Sequence, residues 1–193
     1  MNKMLKLPLF LGACGLSCAG LLSGVHALTK GEIQEYKDNK IKEEYVAIFK
    51  NNGYNVVKED LAIKSSLEVS DELYNVGCSG KAIVEEINGV AYTCKVSGYA
   101  GAVEFQVAFA NGEYLGYTSI SHSETSGYGK DLIDGMTKLL KGLNLADSLF
   151  STSYADAIKG KSKTGKPVGE AIEACRADYY AWLEAQQQVG GNE

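Results

Sequence analysis

Two Asn-Gly dipeptides constrain the fold of this chain more than any other feature of its sequence. Each lies between two runs rich in apolar, β-branched and aromatic residues: 83–87 and 90–96 flank Asn88-Gly89, and 103–109 and 114–120 flank Asn111-Gly112. Asparagine and glycine adopt the positive φ angles that a two-residue hairpin turn requires. The sequence therefore predicts two β-hairpins and, with them, an antiparallel sheet.

The run 103–109 also indicates which side of its strand is buried. Large apolar residues alternate with other residues along it: Val103, Phe105, Val107 and Phe109 with Glu104, Gln106 and Ala108. Successive side chains of a strand point to opposite faces of the sheet. This alternation predicts a strand with one buried face.

Three segments have the spacing of apolar residues that is typical of amphipathic helices: 32–50, 131–143 and 167 to about 187. The first stops at Asn51-Asn52-Gly53, which suits a helix exit. Pro167 lies near the first turn of the last helix, where its missing N–H costs least. Because no repeat or linker divides these elements, the sequence predicts an α+β fold. We expect a single domain, residues 30–193, with antiparallel hairpins and flanking helices.

An apolar segment precedes this domain. Residues 7–28 carry no formal charge, with Lys3 and Lys6 before them and Lys30 after. At a rise of ~1.5 Å per residue, such a helix spans a hydrocarbon core of ~30 Å. The excess of lysine before the segment places the N-terminus in the cytoplasm and the domain outside. Residues 1–29 are therefore interpreted as a single-pass anchor in the cell membrane.

Two other interpretations of this segment stay open. Residues 11–14 (Leu-Gly-Ala-Cys) resemble a lipobox, which would make Cys14 a lipidated N-terminus. Residues 25–27 (Val-His-Ala) resemble the small-residue pattern of a signal-peptidase site. All three interpretations export the domain.

The distribution of charge argues against a nucleic-acid partner. All 24 acidic residues follow Lys30, and the whole chain has a net charge of −5. A surface of that sign repels polyanions. We therefore expect no binding to DNA or RNA.

The cysteines follow no familiar spacing. Cys14 and Cys18 lie in the apolar N-terminal segment, and Cys78, Cys94 and Cys175 form no CxxC pair. This pattern predicts neither a zinc site nor a disulfide framework, although one disulfide between Cys78 and Cys94 stays open.

Two stretches carry the residues best suited to bind a ligand. The first joins residues 97–101 (Ser-Gly-Tyr-Ala-Gly) to residues 120–129 (Ile-Ser-His-Ser-Glu-Thr-Ser-Gly-Tyr-Gly) through a strand and a turn. Its glycines let the backbone approach a flat ligand, and its hydroxyl and N–H groups can bond the carbonyls and nitrogens of a ring. The same composition also describes a polar loop between a strand and a helix.

The second stretch, residues 156–168, is basic. It contains four lysines, with no acidic residue between Asp156 and Glu170: Lys159, Lys161, Lys163 and Lys166. The start of the predicted last helix adds N–H donors, and such a place attracts phosphate. A solvated lysine-rich loop capped by Thr164 is the alternative.

Together the two stretches resemble the FMN-binding domain that occurs in the Rnf electron-transport complex and in the sodium-pumping NADH:quinone reductase. That family has a Gly-Tyr-x-Gly segment, a strand, a turn with glycine, and a His-x-Glu-Thr-Pro-Gly-Leu-Gly loop. Residues 122–129 follow this loop, with Ser126 in place of proline and Tyr128 in place of leucine. The resemblance extends from the N-terminal segment to about Cys175. A length of 193 residues fits the FMN-binding Rnf protein better than its longer counterpart in the quinone reductase.

The resemblance implies a set of residues that bind FMN. In the family a hydroxyl in the second stretch is joined to FMN through a phosphoester by a flavin transferase, and Ser162 takes that position here, beside Gly160 and Lys161. The implied ring contacts lie in the loop: Glu124, Thr125, Gly127 and Gly129, with His122 behind them. Two lysines depart from the family pattern, Lys159 in place of serine or threonine and Lys161 in place of alanine.

The function implied by the resemblance is electron transfer by an FMN-carrying subunit of a membrane ion-translocating oxidoreductase complex. Its partners would be the other subunits, the flavin transferase and the membrane. The alternative, supported by Lys159 and Lys161, is a flavin-free or noncovalently binding relative that acts as an extracytoplasmic structural or interaction module. A hydrolase built on His122 and Glu124 is disfavoured, because no Gly-x-Ser-x-Gly elbow accompanies them.

Overall fold

The computed structural model describes five residues near the N-terminus and then residues 39–65, 69–141 and 143–190. The five are helical: Gly15, Leu16, Ala19, Gly20 and Ser23. Apart from these, the predicted anchor lies outside the described residues. Within the part of the chain that the structure describes, no helix is both long enough and apolar enough to cross a membrane. The chain divides into two compact units, Met1–Ile41 and Lys42–Glu193.

The second unit is built on a five-stranded antiparallel sheet, which confirms the predicted α+β class. Its strands follow one another in space in the order of the sequence. They are β1 (Ala62–Ser65), β2 (Cys78–Val84), β3 (Gly89–Ser97), β4 (Ala102–Ala110) and β5 (Glu113–Ser121). Short connections join β2 to β3, β3 to β4 and β4 to β5, whereas the connection from β1 to β2 contains a short helix, Asp71–Asn75.

The hairpin between β4 and β5 has the predicted two-residue turn. Asn111 and Gly112 have φ angles of 51° and 79°, and Ala110 pairs with Glu113 on either side of them. Both positive angles belong to the left-handed region that this turn requires.

The hairpin between β2 and β3 differs from the prediction. Strand β2 ends at Val84, and a 3-10 turn over Glu85–Ile87 precedes Asn88, whose φ is 45°. Gly89 is the first residue of β3, and a Cβ there would lie 2.9 Å from Phe49. Four residues, 85–88, therefore connect the strands instead of the predicted two, and Ile87 among them packs against the apolar cluster that includes Phe49.

Among the described residues of the second unit, five α-helices accompany the sheet. They are α1 (42–50 within the second unit), α2 (Asp71–Asn75), α3 (Gly129–Leu140), α4 (Ser153–Ala157) and α5 (Ser162–Gly190). Helix α5 begins five residues before Pro167, so its predicted start was wrong. The N–H groups of Thr164 and Gly165 donate to the Lys161 carbonyl and form the opening turn without the proline. Pro167 then removes only one bond, in the second turn.

Both faces of the sheet are covered, which corrects the prediction of one buried face for β4. Helices α3 and α5 pack on the face that carries Phe105 and Phe109, and α1 packs on the face that carries Ala108. Gln106, on the α1 side, is only 2% exposed and donates to Thr93 Oγ1 at 3.2 Å. Central strands covered on both sides do not need an alternation of apolar and polar residues.

Candidate functional site

The two stretches singled out in the sequence meet at one pocket of about 600 Å³. Its lining comes from the loop after β3, the loop between β5 and α3, and the turn that starts α5. The residues are Tyr99, Glu124, Thr125, Tyr128, Gly129, Gly160, Lys161, Ser162, Lys163 and Thr164. Pockets of this size accommodate cofactors and other small molecules.

Six of the eight residues implied by the family resemblance line this pocket. They are Glu124, Thr125, Gly129, Gly160, Lys161 and Ser162. Gly127 and His122 are not part of the lining. The fold thus brings together residues that are more than thirty positions apart in the sequence.

Glu124 places a buried carboxylate at the pocket. It is only 7% exposed, and its Oε1 accepts a hydrogen bond of 3.2 Å from the Ala100 N–H. Its Oε2 is buried and has no hydrogen-bond partner among the described residues. Because a buried polar atom without a partner is costly, this oxygen is suited to accept a hydrogen bond from water or from a molecule bound in the pocket.

Two glycines make the space that this carboxylate occupies. A Cβ at Gly98 would lie 2.2 Å from Glu124 Oε1, and a Cβ at Gly129 would lie 2.2 Å from Oε2. The sequence suggested that glycines here let a ligand approach the backbone. At these two positions the missing Cβ also makes room for the side chain of Glu124.

His122 and Gly127 shape the loop rather than line the pocket. The backbone N–H of Glu124 donates to His122 Nδ1 at 3.3 Å. Gly127 has a φ of 82°, and its N–H donates to Asp131 Oδ1 at 3.0 Å in the first turn of α3. A Cβ at Gly127 would meet open space, so the backbone angle is what favours glycine there.

The second stretch places two hydroxyl groups in different environments. Ser162 is exposed and is the first residue of α5. Thr164 is 1% exposed, and its Oγ1 accepts a hydrogen bond of 3.1 Å from the Tyr99 N–H. Thr164 therefore ties the loop after β3 to α5, whereas the hydroxyl of Ser162 is accessible to another molecule.

The lysines of the second stretch do not act as one cluster. Lys161 and Lys163 line the pocket, and Lys163 Nζ lies 5.4 Å from the centre of the Tyr99 ring. Lys159 is exposed outside the lining and pairs with Asp156 at 2.6 Å. Their hydrogen bond and opposite charges raise the pKa of Lys159 and lower the pKa of Asp156. Only part of the basic charge is thus directed at the pocket.

Four lining residues were not among those implied by the resemblance: Tyr99, Tyr128, Lys163 and Thr164. Tyr99 and Tyr128 are 69% and 63% exposed, which is unusual for large aromatic rings. Both belong to the quoted motifs, and an aromatic ring within a glycine-containing loop is the signal that could have identified them. Exposed rings at the edge of a pocket are suited to stacking on a planar ligand.

The pocket therefore offers three kinds of contact. Glu124 supplies a buried acceptor, Lys161 and Lys163 supply positive charge beside the hydroxyl of Ser162, and two tyrosines supply aromatic faces. A planar molecule with hydrogen-bond donors and a phosphate would use all three. Comparison with known proteins does not identify a family for this chain: no family model matches the sequence, and no curated protein matches it significantly.

Proposed function

We propose that the pocket holds FMN and that the protein is an electron-transfer subunit of a membrane ion-translocating oxidoreductase complex, similar to the FMN-binding protein of the Rnf complex. The observation that carries this proposal is the meeting of the two motif stretches at one pocket, around a buried carboxylate oxygen that has no hydrogen-bond partner among the described residues. The family resemblance supplies the identity of the cofactor.

The residues of the pocket fit the ring and ribityl part of FMN. Glu124 Oε2 needs a donor, and a flavin offers the N–H of its ring and the hydroxyls of its ribityl chain. Tyr99 and Tyr128 present exposed aromatic faces at the same pocket. These contacts would hold and orient the ring, and FMN itself would supply the redox chemistry.

The start of α5 fits the phosphate part. Lys161 and Lys163 bring positive charge, and the N-terminal end of a helix favours an anion. Ser162 offers an exposed hydroxyl that a flavin transferase can reach, whereas Thr164 is buried and already accepts from Tyr99. This difference favours Ser162 as the residue that carries the phosphoester.

Lys159 interferes less with this assignment than its place in the motif suggested. Its side chain lies outside the pocket and pairs with Asp156, so it leaves Ser162 accessible. Lys161 remains in the lining, where its charge can pair with a phosphate. The membrane anchor, the other subunits of the complex and the flavin transferase as partners belong to the same proposal.

Intact-mass measurement of the full chain, co-expressed with a flavin transferase, tests the proposal. We expect the wild type and Ser162→Thr to carry the added mass of FMN, and Ser162→Ala to lack it. Ser126→Ala is the matched control, because Ser126 is also exposed but does not line the pocket. It should retain the added mass.

The other outcomes separate the alternatives. Wild-type protein without added mass, but with the visible absorbance of oxidised flavin after native purification, would overturn covalent attachment and leave noncovalent binding. Protein with neither would overturn the cofactor proposal, and the flavin-free interaction module would replace it.

A further inference from the structure

Three cysteines that are far apart in the sequence meet in the core. Cys78 lies on β2, Cys94 on β3 and Cys175 on α5, and all three are at most 1% exposed. Their sulfur atoms lie within 4.8 Å of one another, and the Cys94 and Cys175 sulfurs are 3.5 Å apart. All three are free thiols, so the Cys78–Cys94 disulfide that the sequence left open is absent among these residues.

The position of Cys78 depends on an irregularity in its strand. Ala82 and Val84 of β2 belong to the apolar cluster under α1, and strict alternation would direct Cys78 to that same face. The register of β2 and β3 shifts between Cys78 and Gly80, and Cys78 joins the cluster on the α5 face instead. Such bulges redirect side chains and are retained where that direction matters.

The spacing of the three sulfurs matches a metal site better than a disulfide. In a trigonal site with metal–sulfur bonds of about 2.3 Å, neighbouring sulfurs lie about 4 Å apart. A disulfide requires a separation of about 2.0 Å, which is much shorter than the 3.5 Å between the Cys94 and Cys175 sulfurs. A triangle with one pair of sulfurs 3.5 Å apart and all three within 4.8 Å of one another therefore suits a single ion at its centre.

An adjacent ion-pair network fixes the same three elements. Asp178, one turn after Cys175 on α5, accepts from Tyr92 Oη of β3 at 2.6 Å and from Lys81 Nζ of β2 at 2.8 Å. Both side chains of the Lys81–Asp178 pair are less than one-fifth exposed. Because this network joins β2, β3 and α5 beside the sulfurs, it holds the triangle in place before any ion binds.

We propose that Cys78, Cys94 and Cys175 form a three-thiolate site for a soft, thiophilic metal ion, with Cu⁺ as the occupant that suits it best. Thiolates select soft ions such as Cu⁺ and Zn²⁺. Zn²⁺ in structural sites almost always has four ligands, and no fourth His, Cys, Asp or Glu joins this group among the described residues. Three thiolates complete a trigonal site for Cu⁺.

Binding is an exchange of protons for the ion, without a change of oxidation state. The three thiols lose up to three protons to solvent as three sulfur–metal bonds form. Because all three sulfurs are buried, the ion enters while the chain folds and is retained once α5 has packed on the sheet. None of these cysteines lines the FMN pocket, so the site is independent of the proposed flavin function.

The test uses the full chain with Cys14 and Cys18 changed to serine, so that only the three core thiols remain. The protein is unfolded, reduced, and refolded anaerobically with Cu⁺ held by a weak chelator. We expect one Cu⁺ per chain after gel filtration, an ultraviolet thiolate-to-metal charge-transfer band, and a higher unfolding temperature than for protein refolded without copper. Cys175→Ser in this background should abolish all three effects.

Copper binding is measured on the Cys14→Ser, Cys18→Ser protein itself. The test therefore remains valid even if the additional Cys175→Ser variant folds poorly. Refolded protein that binds no copper, or that shows copper without the charge-transfer band, would overturn the proposal. The proposal would also be overturned if the Cys14→Ser, Cys18→Ser protein purified from cells had a mass lower by two hydrogens, because two of the three core sulfurs would then form a disulfide.

Discussion

Glu124 keeps its buried position because two neighbouring residues have no side chain. Its carboxylate fills the space that a Cβ at Gly98 or Gly129 would take, and the Ala100 N–H bonds one of its oxygens. Among the described residues this carboxylate has one hydrogen-bond partner, and burial of such a group does not favour stability, because desolvation of the charge is costly. In the proposed function, the bound flavin supplies the second partner.

Gly129→Ala should displace this carboxylate. The added methyl group cannot share the space with Glu124 Oε2, so the hydrogen bond from Ala100 should break at a cost of about 1–3 kcal/mol in the free energy of unfolding. Gly135→Ala is the control on the same helix: its Cβ would meet open space, and alanine should stabilise the helix by about 0.5–1 kcal/mol. Urea unfolding measures both effects.

Gly129→Ala and Gly135→Ala also distinguish an effect on stability from an effect on FMN binding. In the Ser162→Ala background, where any flavin must bind noncovalently, Gly129→Ala should weaken FMN binding and Gly135→Ala should leave it unchanged. Equal FMN affinities for the two variants would show that Glu124 does not take part in the flavin site.

At the scale of elements, the site depends on how the start of α5 is tied to the loop after β3. The sequence predicted that loop, the β4–β5 hairpin and the last helix from local signals. It missed the true start of α5, because the opening turn is made by bonds to the Lys161 carbonyl and not by a recognised cap. It also missed the role of Thr164, since a contact between residues 99 and 164 has no local signature.

Thr164→Val should remove the hydrogen bond between Tyr99 and residue 164 while preserving the volume of the side chain. Valine fills the same volume but cannot accept from the Tyr99 N–H, so we expect a loss of about 1–2 kcal/mol in the free energy of unfolding. Thr118→Val is the same chemical change at an exposed position of β5 and should alter stability by less than about 0.5 kcal/mol. Urea titration compares the two, and similar values would mean that the Tyr99–Thr164 bond contributes nothing.

For the whole molecule, the class of fold could be predicted from the sequence, but the covering of both faces of the sheet by helices could not. Hairpin turns and helical periodicity are local, and they predicted an antiparallel sheet with helices. Alternation in β4 indicated one buried face, yet Gln106 and Ala108 on the other face are also buried under α1. The triangle of cysteines depends on a bulge and on packing between three elements, neither of which a spacing pattern reveals.

The α1 layer leads to a prediction about the size of the smallest folded fragment. Helix α1 buries Tyr45, Ile48 and Phe49 against the sheet, each at most 2% exposed. At about 1.5–3 kcal/mol for each buried large side chain, their loss would remove roughly 5–9 kcal/mol. Whole domains are stable by only about 5–15 kcal/mol.

A fragment of residues 54–193, which lacks α1, should therefore fail to unfold cooperatively, whereas a fragment of residues 39–193 should unfold in one transition. Circular dichroism during a urea titration distinguishes the two, and ANS fluorescence should rise only for the shorter fragment, because its sheet exposes Ala82, Val84 and Ala91.

A quadruple variant of 39–193 with Tyr45, Val46, Ile48 and Phe49 changed to alanine serves as the matched control, since it keeps the chain length but removes the apolar face of α1. It should behave like the shorter fragment. If 54–193 unfolded at the same urea concentration as 39–193, the face of the sheet that α1 covers would not need α1 for its stability.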